Sequence, residues 1–328
     1  MKVFVTGATG YVGHQLAKKL ANQNYKVIAL VRNLNSENIP KHVNIIPVKG
    51  DICNYDSIEK SIVGCDYVFH TAAYTNLKCK NINNFYSANV KGTENILKAS
   101  QKHHIKKVIY TSTLAVHGPS YKSIAITEDQ PRLISYSNDY ELTKGVSEEL
   151  VFSYIKKGLP CAILNVTRVY GPGLKTFTSG VNTLISKIAN NDFLIVPAKL
   201  NVTTNYVFID DVVDAHILAM KKEISNGKYI IGGDNISYET LFEVIKNITK
   251  SKIKIVKVNY GIIKTGFAII NITKRFFGMP SGITTKVLDS LFVNRISSSR
   301  KAIKDLDYQV TPLNRGLLTT INYLKFAA

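Results

Sequence analysis

Three glycines at the end of the first apolar run constrain this chain more than any other feature. Val3, Phe4 and Val5 read as a short buried strand, and Gly7, Gly10 and Gly13 follow in TGATGYVG with the spacing GxxGxxG. A strand that turns at once into a helix needs a residue free to take positive φ, hence Gly7. A backbone left bare for a ligand needs a position without Cβ, hence Gly10, and a helix lying close on its own strand needs a small residue, hence Gly13. The helix from about Tyr11 to Leu20 then aims its unpaired N–H groups and the positive end of its dipole at the turn. The pattern predicts a dinucleotide pyrophosphate seated on Gly7, Thr9, Gly10, Tyr11, Val12 and Gly13. A strand-to-helix turn without a ligand is the alternative.

The next segments supply the remaining parts of such a site in order. A strand Lys26–Leu30 closes the first βαβ unit, and at its end, where an acid would hold a ribose diol, stand Val31 and Arg32. A guanidinium suits a 2′-phosphate, so NADP(H) is favoured over NAD(H), with Lys41 as a possible helper. A surface arginine after a strand is the plain alternative. Strand Val43–Val48 delivers Gly50 and Asp51, the latter an acceptor for an adenine amino group. Asp56–Val63 reads as a helix, and Asp66–His70 as a fourth strand ending in Thr71, Ala72 and Ala73, small enough for a ribose to lie against the backbone. Asn89 opens NVKGT at the head of a helix running to about His103. It either fixes a strand or a water or acts as an N-cap.

Strand Lys107–Tyr110 brings Thr111, Ser112 and Thr113 to the carboxyl edge of the sheet, where ligands bind in doubly wound folds. Downstream, Tyr140 and Lys144 in YELTK sit four apart, on one face of a predicted helix. A free phenol has a pKa near ~10, and a neighbouring ammonium is expected to stabilise the phenolate and draw that value towards neutrality.

At 328 residues the chain exceeds one compact unit. The expected division is a nucleotide-binding domain of residues 1–169 and 203–228, with a substrate domain of 170–202 and 229–328. Lys and Arg number 42 against 23 acids, a formal charge of +19. The excess is spread along the chain, there is no Trp, and no basic face with interleaved aromatics appears, so nucleic acid is not an expected partner. Cys53, Cys65, Cys79 and Cys161 make no CxxC pair and no metal-ligand set with histidine, which points to free thiols in a reducing cytoplasm and to no metal. The start MKVFV is too short and too soon interrupted for a secretion signal. From Lys246 to Lys304 there are thirteen Lys/Arg against one acid, Asp289. Within it, Tyr260–Phe277 is strongly apolar but interrupted by Lys264, Lys274 and Arg275, too broken for a membrane span. A helix packed into the small domain is the expectation, with a lid over an apolar substrate and a surface touching anionic lipid as alternatives.

Taken together, TGATGYVG, Gly50–Asp51, HTAA from His70, NVKGT from Asn89, TSTLAVHG from Thr111, YELTK, RVYGPG from Arg168, NYVFIDDVVDAH from Asn205 and DLDYQVTPL resemble the extended short-chain dehydrogenases/reductases, the NAD-dependent epimerase/dehydratase superfamily. Within it the dihydroflavonol-reductase-like group, which includes hopanoid-associated sugar-epimerase-like proteins, is the most similar. The resemblance spans nearly the whole chain. It implies an α/β fold, a Rossmann doubly wound parallel sheet with a smaller C-terminal α/β substrate domain, and a homodimer formed through the helices carrying NVKGT and YxxxK. It also implies that Tyr140 is the catalytic acid/base, that Lys144 tunes it while holding the nicotinamide ribose, and that Thr113 binds the substrate carbonyl, because it precedes the LAVHG matching the family's AxVYG. Ser112 is the fallback. Gly7, Gly10 and Gly13 would receive the pyrophosphate, Asp51 and Ile52 the adenine, and Thr71, Ala72 and Ala73 the cofactor ribose, with Asn89 and Arg168 towards the substrate; a pairing of Arg168 with an acid is equally open.

Three departures bear on substrate. His117 replaces the tyrosine common in VYG and Arg168 an asparagine common before it, while Thr204 and Asn205 occupy the region where sugar-nucleotide epimerases carry an arginine for the diphosphate. The expected function is NADP-dependent reduction of a fairly apolar ketone or aldehyde. A sugar or sugar-nucleotide epimerase or dehydratase that retains its cofactor, and a non-enzymatic dinucleotide sensor, are the alternatives.

Overall fold

Seven parallel strands form the centre of the protein. This computed structural model describes residues 1–79, 81–122, 124–176, 179–190, 192–223, 226–277 and 284–326, with the side chains of Arg275, Phe276 and Phe326 outside the described set. In chain order the elements of the first half are β1 (Lys2–Thr6), α1 (Tyr11–Asn22), β2 (Lys26–Val31), β3 (Ile45–Lys49), α2 (Tyr55–Ile62), β4 (Tyr67–His70), α3 (Ile82–Phe85), α4 (Gly92–Lys102), β5 (Lys107–Thr113), α5 (Asp139–Lys156) and β6 (Cys161–Val166). Then follow β7 (Arg168–Tyr170), α6 (Gly180–Asn190), β8 (Phe193–Pro197), β9 (Thr203–Phe208), α7 (Ile209–Lys221), β10 (Gly227–Ile231), β11 (Asp234–Ser237), α8 (Tyr238–Thr249), β12 (Lys254–Val258), α9 (Tyr260–Phe276), α10 (Thr285–Leu291), α11 (Arg300–Leu306) and α12 (Leu313–Phe326).

The main sheet has the order β3-β2-β1-β4-β5-β6-β10. Its central strands are apolar on both faces because both are covered. Leu16, Ala17 and Leu20 of α1, Val212 and Val213 of α7, and Ala302 and Leu306 of α11 fill one side. Ile58 and Ile62 of α2, Ile96 and Leu97 of α4, and Val151 of α5 fill the other. The strand order reverses between β1 and β4, so the crevice at their carboxyl ends is where a doubly wound sheet receives a ligand. A second core, containing Ile185, Ile188, Tyr206, Leu241, Phe242, Ile245, Leu317 and Ile321, organises the smaller part of the molecule. There β9 pairs with β7 on one side and with β11 on the other in a three-stranded sheet, and β8 pairs with β12. The division expected at 228/229 falls inside β10, which is hydrogen-bonded to β6 throughout Gly227–Ile231. Two acids tie the parts together: Asp211 accepts from both the backbone N–H and the hydroxyl of Thr311, and Asp234 from the N–H of Leu313.

Two expectations are corrected here. Asn89 is no N-cap: it lies inside a π-helical turn, Tyr86–Lys91, that joins α3 to α4 in one continuous helix. And α9 is not packed as a core helix. None of its described residues is fully buried, and Ile262, Phe267, Ile269, Ile270 and Ile272 are exposed. The burial that apolar sequence promised is taken by α8 and α12 instead.

Candidate active site

The glycine turn has the geometry its residues dictate. Gly7 stands at φ +76°, and a Cβ there would lie 2.7 Å from the backbone N of Ala72. A Cβ on Gly13 would lie 2.2 Å from the carbonyl oxygen of Gly7, so that glycine sets how closely α1 approaches β1. Gly10, by contrast, has only the Gly7 oxygen near it, at 3.2 Å, and the space beyond is open. No side chain caps α1 and no acid occupies its first turn. A bare helix N-terminus facing an open glycine backbone fits a pyrophosphate.

Thr71, Ala72 and Ala73 stand against this turn. Thr71 Oγ1 donates to the Thr6 carbonyl at 2.7 Å, and the Ala72 N–H donates to Thr6 Oγ1 at 3.3 Å. Arg32 is exposed just past β2, after the buried Val31. Asp51 follows β3 and accepts from the Cys53 N–H, while Ile52 packs against Gly92 of α4. Tyr11 is the exception among the turn residues. Its side chain leaves the turn and its hydroxyl donates to the Gly171 carbonyl at 2.7 Å, so only its backbone N–H is available to an anion. Val12 lies between the two cores.

At the end of β5 the strand's alternation separates the three hydroxyls. Thr111 faces α7, where its Oγ1 meets His216 Nε2 at 2.7 Å; His216 Nδ1 donates to the Val212 carbonyl, so Nε2 is the acceptor. Ser112 faces the opposite core and donates to Glu148 Oε1 at 2.5 Å, which removes it as the substrate hydroxyl. Thr113 Oγ1 accepts from the Ala115 N–H at 3.3 Å, and of the three hydroxyls it is the one that acts on the Tyr140 phenol, lowering its pKa.

Tyr140 is pushed up to about 12, first by burial, with the Thr113 hydroxyl acting against that and the Glu141 carboxylate adding to it. The expected depression by Lys144 is therefore corrected. The ammonium runs down the helix face to the Thr111 carbonyl, at 2.7 Å, and lies 4.0 Å from the centre of the Tyr110 ring. Burial lowers Lys144 itself to about 7, with Glu148 opposing. The phenol is consequently a protonated donor at neutral pH.

Several buried side chains hold these groups in place. Asn89 Oδ1 accepts from the Tyr74 N–H at 2.7 Å, and its amide donates to the Tyr74 carbonyl and to Thr143 Oγ1, joining the loop after β4 to α5. His70 is wedged between Thr6 and Thr93. Thr93 donates to the Asn89 carbonyl, so His70 Nε2 carries the proton. Burial and then Lys144 lower His70 to about 3, keeping it neutral.

Sequence reading missed the arginine cluster on the substrate side. Glu141, next to Tyr140, is buried and accepts from Arg132 and Arg295, each at 2.8 Å. Burial lowers the Arg295 pKa, Glu141 opposes this, and Arg168 and Arg132 add to it. Arg168 donates to the Tyr238 hydroxyl and, at 3.1 Å, to the Leu291 carbonyl. Among the described residues it pairs with no acid. Two guanidinium groups thus share the Glu141 carboxylate, with the third, Arg168, close enough to lower Arg295 further, and among the described residues Arg295 Nε and Thr204 Oγ1 lie buried without hydrogen-bond partners. Nothing local announces this arrangement, since Arg295 and Glu141 are 154 residues apart. Beside it, a cleft of ≈ 330 Å³ opens between the loop after β4, the first turn of α5 and the start of α10, lined by Leu77, Phe85, Tyr136, Asp139, Leu142 and Val287 among others.

The family profile described as NAD dependent epimerase/dehydratase matches residues 3–232. A Synechocystis protein provisionally named dihydroflavonol 4-reductase is 31% identical over 252 residues, 75% of this chain and 72% of its own. Sterol demethylase protein B of Methylococcus capsulatus is 25% identical over 254 residues, 76% of this chain and 75% of its own. The crystal structure of Thermotoga maritima UDP-glucose 4-epimerase with UDP-glucose superposes on 100% of this chain and 99% of its own, with a TM-score of 0.82 at 22% identity, which establishes a shared fold. With its glycine turn, its parallel sheet and its tyrosine–lysine helix, the chain belongs to the NAD dependent epimerase/dehydratase family, the extended short-chain dehydrogenases/reductases.

Proposed function

We propose that this enzyme reduces the carbonyl of a fairly apolar small molecule with NADP(H), Tyr140 supplying the proton. One arrangement carries the reading: Tyr140 and Lys144 share one face of α5 against the end of β5, Lys144 Nζ donating to the Thr111 carbonyl at 2.7 Å, at the sheet edge that also carries the uncapped glycine turn. The nicotinamide supplies the hydride when bound. The protein's part is to seat the pyrophosphate on Gly7–Gly13, offer Asp51 and Ile52 to the adenine and Ala72 and Ala73 to the ribose, and place Lys144 within reach of the ribose hydroxyls. Thr113 and the Tyr140 hydroxyl both address the carbonyl oxygen, and proton donation by the phenol neutralises the alkoxide as it forms. Exposed Arg32 beside Val31 supports NADP(H). The names of two relatives, a dihydroflavonol reductase and a sterol demethylase protein, support a ring-containing, weakly polar substrate. Self-association through α4 and α5 belongs to the same reading.

A second reading has its own support. Arg168, without an acid, beside Arg295, with an unpartnered Nε, suits a substrate with an anionic handle and so an epimerase or dehydratase that retains its nicotinamide. The test is titration with NADPH and NADH, followed by a carbonyl panel spanning sugars, aliphatic aldehydes, flavonoid-like ketones and sterols. Tighter NADPH binding, weakened about tenfold or more by Arg32→Ala as loss of a charged hydrogen bond entails, with net NADPH consumption on an apolar ketone, supports the reductase. Firmly bound cofactor with no net consumption on any member supports the second reading.

A further inference from the structure

Helix α9 is amphipathic in the wrong sense for a helix on a water-facing protein. Lys264 and Asn271, seven residues apart and so on one side, are half-buried, and Lys264 pairs with Asp289 of α10 at 2.8 Å, beside the Tyr260 hydroxyl on the other oxygen of that carboxylate. The opposite side carries Ile262, Ile269 and Ile272, which are 66%, 55% and 68% exposed, with the exposed Ile270 at its margin. The usual arrangement turns the apolar stripe inward and the charges out. The strand leading into the helix continues the pattern. Val256 of β12 and Phe193 and Ile195 of β8, which pairs with it, are exposed apolar residues among Lys252, Lys254 and Lys257. An apolar surface of this extent marks an interaction site.

Charge decides what covers it. From Lys246 to Phe277 the chain has eight Lys/Arg and no Asp or Glu. A second copy docked on this face would set two such segments against each other, whereas an anionic surface is attracted by them. Among the described residues no helix is long and apolar enough to cross a membrane. Isoleucines and phenylalanines pointing outward with lysines at the margin are what a helix lying in the headgroup region needs. We infer that α9, with the β8–β12 edge, docks the protein on the surface of an anionic lipid bilayer. The position has a consequence for access. Through Asp289, α9 is latched to α10, and α10 lines the cleft that begins one residue from Tyr140. A bilayer-bound orientation places that cleft near the lipid.

The inference goes beyond the proposed reaction and is tested without it. The full-length protein, with no substrate, is sedimented with vesicles of phosphatidylcholine alone and of equal parts phosphatidylcholine and phosphatidylglycerol. Sedimentation with the anionic vesicles, weak or absent with the neutral ones, is expected. Ile269→Glu and Ile272→Glu change exposed side chains, so both variants keep the melting temperature and the NADPH affinity of the parent. Each is expected to lose about tenfold or more in vesicle affinity, the factor that withdrawing one aliphatic side chain from an apolar medium represents. Failure to sediment with anionic vesicles, or binding undiminished in both variants, overturns the inference. Conversion of a dimer to a monomer by Ile269→Glu, without vesicle binding by the parent, overturns it in favour of self-association.

Discussion

The cofactor side and the substrate side of this site are built on different principles. On the cofactor side, residues close in sequence make the geometry: Gly7, Gly10 and Gly13 shape one turn, and Thr71–Ala73 meet it because β4 lies beside β1. On the substrate side, Arg132, Glu141, Arg168, Tyr238 and Arg295 come from five separate elements and loops, and their positions follow from packing across the whole chain. The first arrangement tolerates little variation, because a Cβ at Gly13 meets backbone. The second is assembled from side chains that can change one at a time. A fixed reaction and an adjustable substrate pocket are the natural consequence.

The largest effect expected from breaking that contrast falls where the two sides meet. If Tyr140 is the proton donor proposed above, Tyr140→Phe removes the phenol hydroxyl and turnover falls by about 10²–10⁴-fold, the usual contribution of a positioned acid, while the NADPH dissociation constant stays unchanged. Stopped-flow measurement of NADPH oxidation alongside equilibrium titration checks both. Residual turnover near the parent rate would move the acid to another group.

Next in size is the substrate side alone. Arg168→Gln removes a half-buried guanidinium that holds Tyr238 and the Leu291 carbonyl. Loss of a charged hydrogen bond predicts a rise in KM of about 10- to 100-fold with the cofactor affinity intact. Arg168→Lys restores little, because an ammonium cannot span both partners as the planar fork does. A variant that weakens NADPH binding equally would show that the two sides are not separable.

How much of this the sequence discloses follows the same division. The glycine turn, the order of β1 to β5 and the Tyr140–Lys144 helix were legible because each is a local pattern with a local cause. The strand ends were less so: β5 continues to Thr113, three residues past its apolar run, because Thr111–Thr113 still pair with Leu164–Val166 of β6. The fate of Ser112 and the direction of the Lys144 side chain depend on Glu148 and the Thr111 carbonyl, contacts that no spacing rule foretells. Apolar content also misled. In α1 it fills the core, whereas in α9 it faces outward, and composition alone does not distinguish the two.

A smaller effect sharpens the claim about the cofactor turn. In Gly13→Ala the new methyl would sit 2.2 Å from the Gly7 carbonyl oxygen, a backbone atom that no rotamer change relieves. Overpacking of this kind costs about 1–3 kcal/mol, read as a lower melting temperature. Displacing Gly7 from Gly13 also opens the pyrophosphate seat, so NADPH affinity falls with stability. The contrast fails if Gly13→Ala binds NADPH like the parent, since the turn would then be less tightly specified than the arginine cluster.

The mildest prediction concerns pH and the histidines beneath the sheet edge. His70 and His216 are held neutral, lowered by burial to about 3 and about 4 from an ordinary 6.5. As pH falls below 6.5 the unfolded chain takes up protons at these positions before the folded one does. Stability is therefore full above that value and declines through the window down to about 4 for His216 and about 3 for His70. Within its window each histidine contributes a slope of about 1.4 kcal/mol per pH unit. Replacing His216 by Gln, whose amide can still accept from Thr111, should flatten the acid limb of a urea-midpoint profile by that one slope while leaving the profile above pH 7 unchanged. His70 adjoins Thr6, at the end of the strand that leads into the glycine turn, so His70→Gln should flatten the limb and loosen NADPH as well. An acid limb identical to the parent's in both variants would place the protons elsewhere, and the neutral histidines would lose their part in bracing the cofactor side.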